Sequence, residues 1–360
     1  MNQQFNRKIV LPTGAAFYGT GFGAGGDIIS ELVFNTSMAG YQEIISDPSY
    51  TDQTVVMTYP LIGNYGVNPD DYECAKPSIS GMIVRDYNDH PSNFRSVESL
   101  SEAMKRFGIT GISGIDTRKL TRIIREQGTI PSLITDADRP EEECLDILSK
   151  ASLRHDQVSR VSPREITTYR AEEERFRIAA IDCGMKENIV RSLNARNVTV
   201  IRLPYDTDAK AIESLNINGI FISNGPGDPE DAVPVIQTIR QLKGCYPIFG
   251  ICLGHQIISL AMGAKTYKLK FGHRGGNHPV KNLMTGKIEI TSQNHSYAVD
   301  KESLAGTGLE ITHINLLDDT VEGIACDKER IFGVQYHPES APGPNDSGYL
   351  FDRFIKLMEK

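Results

Sequence analysis

The segment Pro247-Ile248-Phe249-Gly250-Ile251-Cys252-Leu253-Gly254-His255-Gln256 constrains this chain more than any other. An apolar run forms a short buried strand, a cysteine between glycines follows, and a helix begins. A sharp strand-to-helix turn of this kind lifts one side chain up and out of the sheet. Gly250 and Gly254 supply the small residues that such a crowded turn requires. Cys252 then sits near a helix N-terminus, where backbone N–H groups favour the nucleophilic thiolate. A buried structural thiol is the competing reading of any single cysteine. Here strand, glycines and helix agree on the nucleophile.

A nucleophilic thiol needs a base, and the base needs an orienting group. The segment Ile331-Phe332-Gly333-Val334-Gln335-Tyr336-His337-Pro338-Glu339 offers both. An apolar strand delivers His337 at its end, Pro338 stiffens the link, and Glu339 can orient the ring and stabilise its charged form. A histidine at a strand end is otherwise a structural or solvated group. His255 is the rival base, because three residues after Cys252 it can share a helical face. No carboxylate follows it locally.

The third piece is Gly219-Ile220-Phe221-Ile222-Ser223-Asn224-Gly225-Pro226-Gly227-Asp228-Pro229, an apolar strand running into a Gly/Pro loop. Such a loop can turn backbone N–H groups toward a developing oxyanion. Taken alone it is a turn signal. It is not a dinucleotide fingerprint, because Gly-x-Gly-x-x-Gly is absent.

These three segments resemble the signatures of class I, triad-type glutamine amidotransferases, in order and in spacing. The resemblance extends upstream. Residues 34–43, 47–50, 58–66 and 114–122, together with residues 271–279 and 293–295, are similar to the carbamoyl-phosphate synthase small subunit. It therefore covers essentially the whole chain. It implies Cys252, His337 and Glu339 as the catalytic triad. It implies that Ser49, Gly225, Gly227, Leu253, Gln256, Asn294, Ser296 and Tyr297 line a glutamine and oxyanion pocket. Ser49 would put that pocket near a domain interface. Ser296 and Tyr297 stand where the family often has Gly and Phe. The implied partner is a large, ATP-dependent synthetase subunit that receives ammonia through a sheltered passage. No cofactor is expected in this chain; ATP, Mg and bicarbonate belong to the large subunit.

Composition agrees with this reading without producing it. The chain has 360 residues, enough for two domains with their own cores. Its formal charge of −8 lacks the basic excess of a nucleic-acid binder. The six cysteines form no CxxC pair. Cys74, Cys144, Cys183, Cys245 and Cys326 read as reduced thiols. No signal peptide or membrane span is expected, since residues 1–8 are polar and the apolar run after them stops at Pro12; the cytoplasm follows as compartment. His273, His278 and His295 fit no familiar ligand spacing, so no metal is expected.

The expected domains are residues 1–155, a linker at 156–176, and residues 177–360. The first mixes strands at 8–11 and 53–59 with helices; Ser99 and Glu102 form a capping box, and Asp116 caps a second helix ended by Gly128. An α+β domain that docks the large subunit is expected there. The linker is charged and loses apolar periodicity. From residue 177 strands alternate with helices at 187–197, 209–215 and 233–242, and 349–358 closes the chain. The pattern predicts an α/β domain with a mostly parallel open sheet flanked by helices. Its active edge lies at the strand C-termini. Two alternatives remain at this level: an amidotransferase component serving another synthetase, and a non-catalytic regulatory subunit.

Overall fold

A computed structural model describes residues 5–152 and 154–359. The first four residues of the polar N-terminal stretch, Leu153 and Lys360 lie outside the described residues. The chain divides into two units, Met1–Arg154 and His155–Lys360.

In the first unit seven strands close into a barrel. Around the ring they run Arg7–Val10, Ala16–Gly23, Thr110–Ser113, Gly81–Ile83, Gln53–Met57, Ile28–Asn35 and Ile130–Asp136. The expected capping box is present, with the Ser99 hydroxyl and Glu102 carboxylate each bonding the other's backbone N–H at the start of helix Leu100–Phe107. Asp116 caps helix Thr117–Gln127, and Gly128 ends it with φ 93. The mixture of helix and strand is as expected, but the closure into a barrel is not. Strands that pair across more than a hundred residues, as Arg7 does with Asp136, leave no local signal of ring closure.

The second unit is built on a ten-stranded sheet. Five strands are mutually parallel, in the order Val198–Pro204, Phe176–Asp182, Gly219–Ile222, Ile248–Ile251 and Ile331–Val334. The other five pair antiparallel. The sheet is therefore mixed rather than mostly parallel. Four of the antiparallel strands follow Ala264, where no α-helix separates the described strands and hairpin connections set the antiparallel sense, and Thr167–Tyr169 adds the fifth at the opposite edge.

Alternation along the parallel strands divides the core in two. Ala179, Ile181, Ile220, Ile222 and Ile248 face helices Val233–Leu242 and Leu253–Ala261. Ile178, Ala180, Phe221, Phe249, Ile251 and Phe332 face helices Glu187–Asn194 and Tyr349–Met358. Phe221, Phe249 and Phe332 stand at one register on three neighbouring strands. Phe249 stacks on Phe332 at 4.3 Å between centroids and meets Phe221 edge-on at 5.3 Å. Such pairs add roughly 0.5–1.5 kcal/mol each beyond their buried area. They lock together the three strands whose ends carry the sequence motifs.

Residues 156–176, expected as a solvated linker, belong to this second unit. Gln157–Val161 is helical with Val158 in the core, and Thr167–Tyr169 pairs with Val198–Pro204 as the sheet edge. A single buried valine in a charged stretch is too weak a pattern to read as an element.

The glycine contacts at the turn before the Leu253–Ala261 helix generate a prediction. A Cβ on Gly254 would lie 2.2 Å from the Ile222 carbonyl oxygen, and one on Gly250 would lie 2.6 Å from the Gly254 carbonyl. Gly254→Ala must push helix and strand apart, at a cost of about 1–3 kcal/mol. Thermal unfolding should show a clear drop in Tm, accompanied by loss of activity at Cys252. An unchanged melting curve would refute the close-packing account.

Candidate active site

Three parallel strands end side by side, and each ends in one of the sequence motifs. Gly219–Ile222 leads to the Asn224-Gly225-Pro226-Gly227 loop, Ile248–Ile251 to Cys252, and Ile331–Val334 to His337. Cys252 adopts φ 54, ψ −103 as the residue that caps helix Leu253–Ala261. A non-glycine residue at such a φ is strained and persists only where its surroundings hold it. Its N–H donates to the Val334 carbonyl at 2.8 Å, and its carbonyl accepts from Gln256 N–H at 3.2 Å.

The thiol is buried, 2% exposed. It donates to the Asn294 carbonyl at 3.5 Å and accepts from the Gln335 side-chain amide at 3.6 Å. His337 Nδ1 lies 2.7 Å from Glu339 Oε1, and both residues are buried. Glu339 also pairs with the Lys186 ammonium at 3.0 Å. Burial opposes charge on His337, but Glu339 and then Cys252 outweigh it and push the ring up to about 10. Burial likewise opposes ionisation of Glu339, and Lys186 followed by His337 brings its carboxyl down to about 2. The result is a buried line of alternating charge, ammonium, carboxylate and imidazolium, aimed at the sulfur. This arrangement can stabilise a thiolate, take up a proton and return it.

His255, the rival base, is fully buried, and burial drives its ring down to about 3. It is a neutral packing group against Gly333, where an added Cβ would come within 3.1 Å of the His255 backbone.

Of the residues expected around the substrate, most gather here. Gly225 lies against the Cys183 carbonyl and the Leu253 side chain, which leave no room for a Cβ. Gly227 has φ 88 and lies against Gln157, so the helix once read as linker supports this loop. Gln256 donates to the Tyr297 carbonyl at 2.7 Å and to Gln335 Oε1 at 2.9 Å. Ser296 accepts from the Arg274 guanidinium. Ser49 lies in the first unit, in a 3-10 turn capped by Asp47.

Two functional side chains escaped the sequence reading. Lys186 is 2% exposed, and its own N–H donates to Asn224 Oδ1. A lysine four residues past the end of strand Phe176–Asp182, on the same edge as the motifs, was the available signal. Gln335 sits inside a motif already singled out, and its alternation with Val334 and Tyr336 is the only hint of its direction. His273 and His295 do come together, with Glu322, their ligand atoms within 4.8 Å of one another. Their ring nitrogens are engaged in hydrogen bonds within the protein.

Comparison with known proteins agrees with this geometry. Residues 179–357 match the family model for glutamine amidotransferase class-I, and residues 9–134 match that for the carbamoyl-phosphate synthase small chain, CPSase domain. The carbamoyl phosphate synthase small chain of Fusobacterium nucleatum subsp. nucleatum is 52% identical over 99% of both chains. That of Oceanobacillus iheyensis is 50% identical over 98% of this chain and 96% of its own. A relative named carbamoyl phosphate synthase pyrimidine-specific small chain, from Halalkalibacterium halodurans, is 51% identical over 98% of this chain and 97% of its own.

The Lys186–Glu339 pair can be tested by stability. Lys186→Met leaves the buried Glu339 with one cationic partner instead of two. Breaking such a pair costs about 3 kcal/mol. Glu339 is held below its ordinary 4.5, so its contribution is complete above that pH and is lost as pH falls toward about 2. Denaturant unfolding at pH 7 should therefore show the full deficit, narrowing below pH 4.5. A deficit that is equal at pH 7 and pH 3 would mean that Lys186 acts by packing alone.

Proposed function

The chain belongs to the family of carbamoyl phosphate synthase small chains, and on that premise we propose that it hydrolyses glutamine at Cys252 and passes the ammonia to a separate large chain. The observation that carries this reading is the buried Cys252 facing the His337–Glu339 pair at the end of three parallel strands.

The thiolate attacks the side-chain amide carbon of glutamine. The oxyanion is held by the backbone N–H groups of Leu253 and Gly225. His337 gives its proton to the amide nitrogen, the C–N bond breaks, and ammonia leaves. Water then attacks the γ-glutamyl thioester while His337 takes a proton from it. The C–S bond breaks, glutamate departs and the thiolate is restored. Glu339 orients the ring and balances its charge; Lys186 keeps Glu339 ionised. Gly227, Gln256, Asn294, Ser296 and Tyr297 complete the glutamine pocket of the second unit.

Ammonia is mostly protonated in neutral water and is then no nucleophile, so a sheltered route to the large chain fits the chemistry. ATP, Mg and bicarbonate act on that partner, and this chain carries no cofactor of its own. The N-terminal unit docks the large chain. Carbamoyl phosphate made by the pair serves pyrimidine or arginine synthesis. No disulfide joins the described cysteines, which supports a reducing compartment such as the cytoplasm. Among the described residues no helix is long and apolar enough to cross a membrane.

Cys252→Ser is expected to abolish glutamine hydrolysis while ammonia-dependent synthesis by the complex survives, because a hydroxyl is far less ionised than a thiol. His337→Asn should lower kcat about a thousandfold, within the usual range for a general acid–base group. His255→Asn should cost much less, through packing. Release of glutamate and consumption of ATP measure the two reactions separately. Glutamine hydrolysis by Cys252→Ser at the wild-type rate would sink the assignment.

A further inference from the structure

His273 and His295 stand directly opposite each other on the antiparallel strands Thr266–Asn282 and Ile288–Val299. The ladder there is short. Register shifts interrupt it between Lys268 and His273 and again between Gly275 and His278. Only His273–Gly275 against Gln293–His295 is paired between the two irregularities. This stretch nevertheless carries Asn294, whose carbonyl accepts the Cys252 thiol. Side-chain contacts across the pair add to this interrupted ladder in holding the strand.

Those contacts form a continuous chain. Asp318 Oδ2 lies 2.8 Å from His273 Nε2, His273 Nδ1 lies 3.2 Å from His295 Nε2, and His295 Nδ1 lies 2.7 Å from the Tyr297 carbonyl. The same carbonyl accepts from Gln256, which donates to Gln335, which donates to the Cys252 sulfur. The contacts require three protons on the two rings, and so one positive charge between them. A carbonyl only accepts, so His295 Nδ1 carries hydrogen, and burial keeps that ring neutral with its Nε2 bare. His273 Nδ1 must donate to that nitrogen. Asp318 is a carboxylate and requires a second N–H from His273 Nε2.

We infer that His273 and Asp318 are positioning residues for glutamine hydrolysis: the doubly protonated His273 ring, clamped between Asp318 and His295, holds the Asn294–Tyr297 stretch and the Gln256–Gln335 pair against the Cys252 sulfur. The inference rests on the reading of Cys252 as the nucleophile toward glutamine.

The surroundings favour that charge state. Glu322 Oε1 lies 3.6 Å from His273 Nδ1 on the same side as His295. The His278 ring is 5.1 Å away and, like His295, is kept neutral by burial. Arg274, the adjacent cation, is engaged by the Phe271 carbonyl and the Ser296 hydroxyl. Burial opposes charge on His273, but Asp318 and Glu322 outweigh it and bring the ring up to about 9. The clamp is thus complete at neutral pH and releases above about 9.

The test is glutaminase activity of the full chain with its large partner chain, with glutamine as the probe, from pH 6.5 to 10.5. In the wild type the KM for glutamine should begin to rise near pH 9, below the fall in kcat that loss of the His337 proton brings near pH 10. His273→Gln should raise KM about tenfold at neutral pH, the loss of one charge-assisted hydrogen bond, and abolish the alkaline rise. Asp318→Asn should move the rise down by about one pH unit, because one of the two carboxylates that hold the proton is gone. The Asp318 side chain is 38% exposed, so this variant decides the matter if His273→Gln does not fold. Wild-type KM and alkaline limb in both folded variants, or in Asp318→Asn alone if the other fails, overturn the inference. So does one equivalent of tightly bound metal per purified wild-type chain that His273→Gln lacks, since a ring nitrogen would then be a ligand. A wild-type chain that hydrolyses no glutamine overturns the parent reading, and is seen separately from the behaviour of the variants.

Discussion

The left-handed backbone at Cys252 is the constraint from which the second unit is organised. A residue at φ 54 between strand and helix needs its neighbours to approach more closely than side chains allow. Gly250 and Gly254 permit that approach, and the Ile222 carbonyl defines how near the helix comes. The aromatic ladder Phe221–Phe249–Phe332 then fixes the relative heights of the three strands. Because their ends are fixed, the Asn224–Gly227 loop, the Cys252 sulfur and His337 come into register without direct bonds among all three.

Electrostatics depends on the same rigidity. Lys186, Glu339 and His337 are each nearly inaccessible to water, and each would be costly to ionise alone. Held in sequence, every charge has an opposite neighbour. The carboxylate accepts from the ring at 2.7 Å and lies 3.0 Å from the ammonium. The His337 imidazole therefore owes its state in part to a lysine carried by a different strand–loop connection. Asp182, at the end of that strand, holds the connection by accepting from the N–H groups of Gly184 and Met185 at 2.7 Å each.

Much of this was legible in the sequence because three motifs encode local geometry. Glycines around Cys252, the Gly/Pro loop after Ile222 and the His337-Pro338-Glu339 triplet each specify a turn, and alternation of strand and helix specifies that the turns share an edge. Lys186 was not legible, since its role depends on a contact across about 150 residues to Glu339. The helix at Gln157–Val161 was hidden by its charged flanks. The antiparallel half of the second sheet and the closure of the first unit were hidden for a related reason. Strand pairing is decided between distant segments, and a hydrophobic pattern reports only which face of a strand is buried.

The closed ring of the first unit limits how other chains can engage it. Each of its seven strands is hydrogen-bonded to a neighbour on both sides, so among the described residues the ring has no edge strand. Recruitment by strand addition, the route by which exposed sheet edges capture extended peptides, is closed to it. In the second unit the sheet ends on one side in a strand of three residues and on the other in Glu310–Asn315, which pairs back onto Val321–Cys326. Apart from that short edge and the two-stranded pair Leu61–Ile62 and Asp86–Tyr87, recognition is left to side chains on helices and loops, where specificity can be altered one residue at a time without disturbing a backbone ladder.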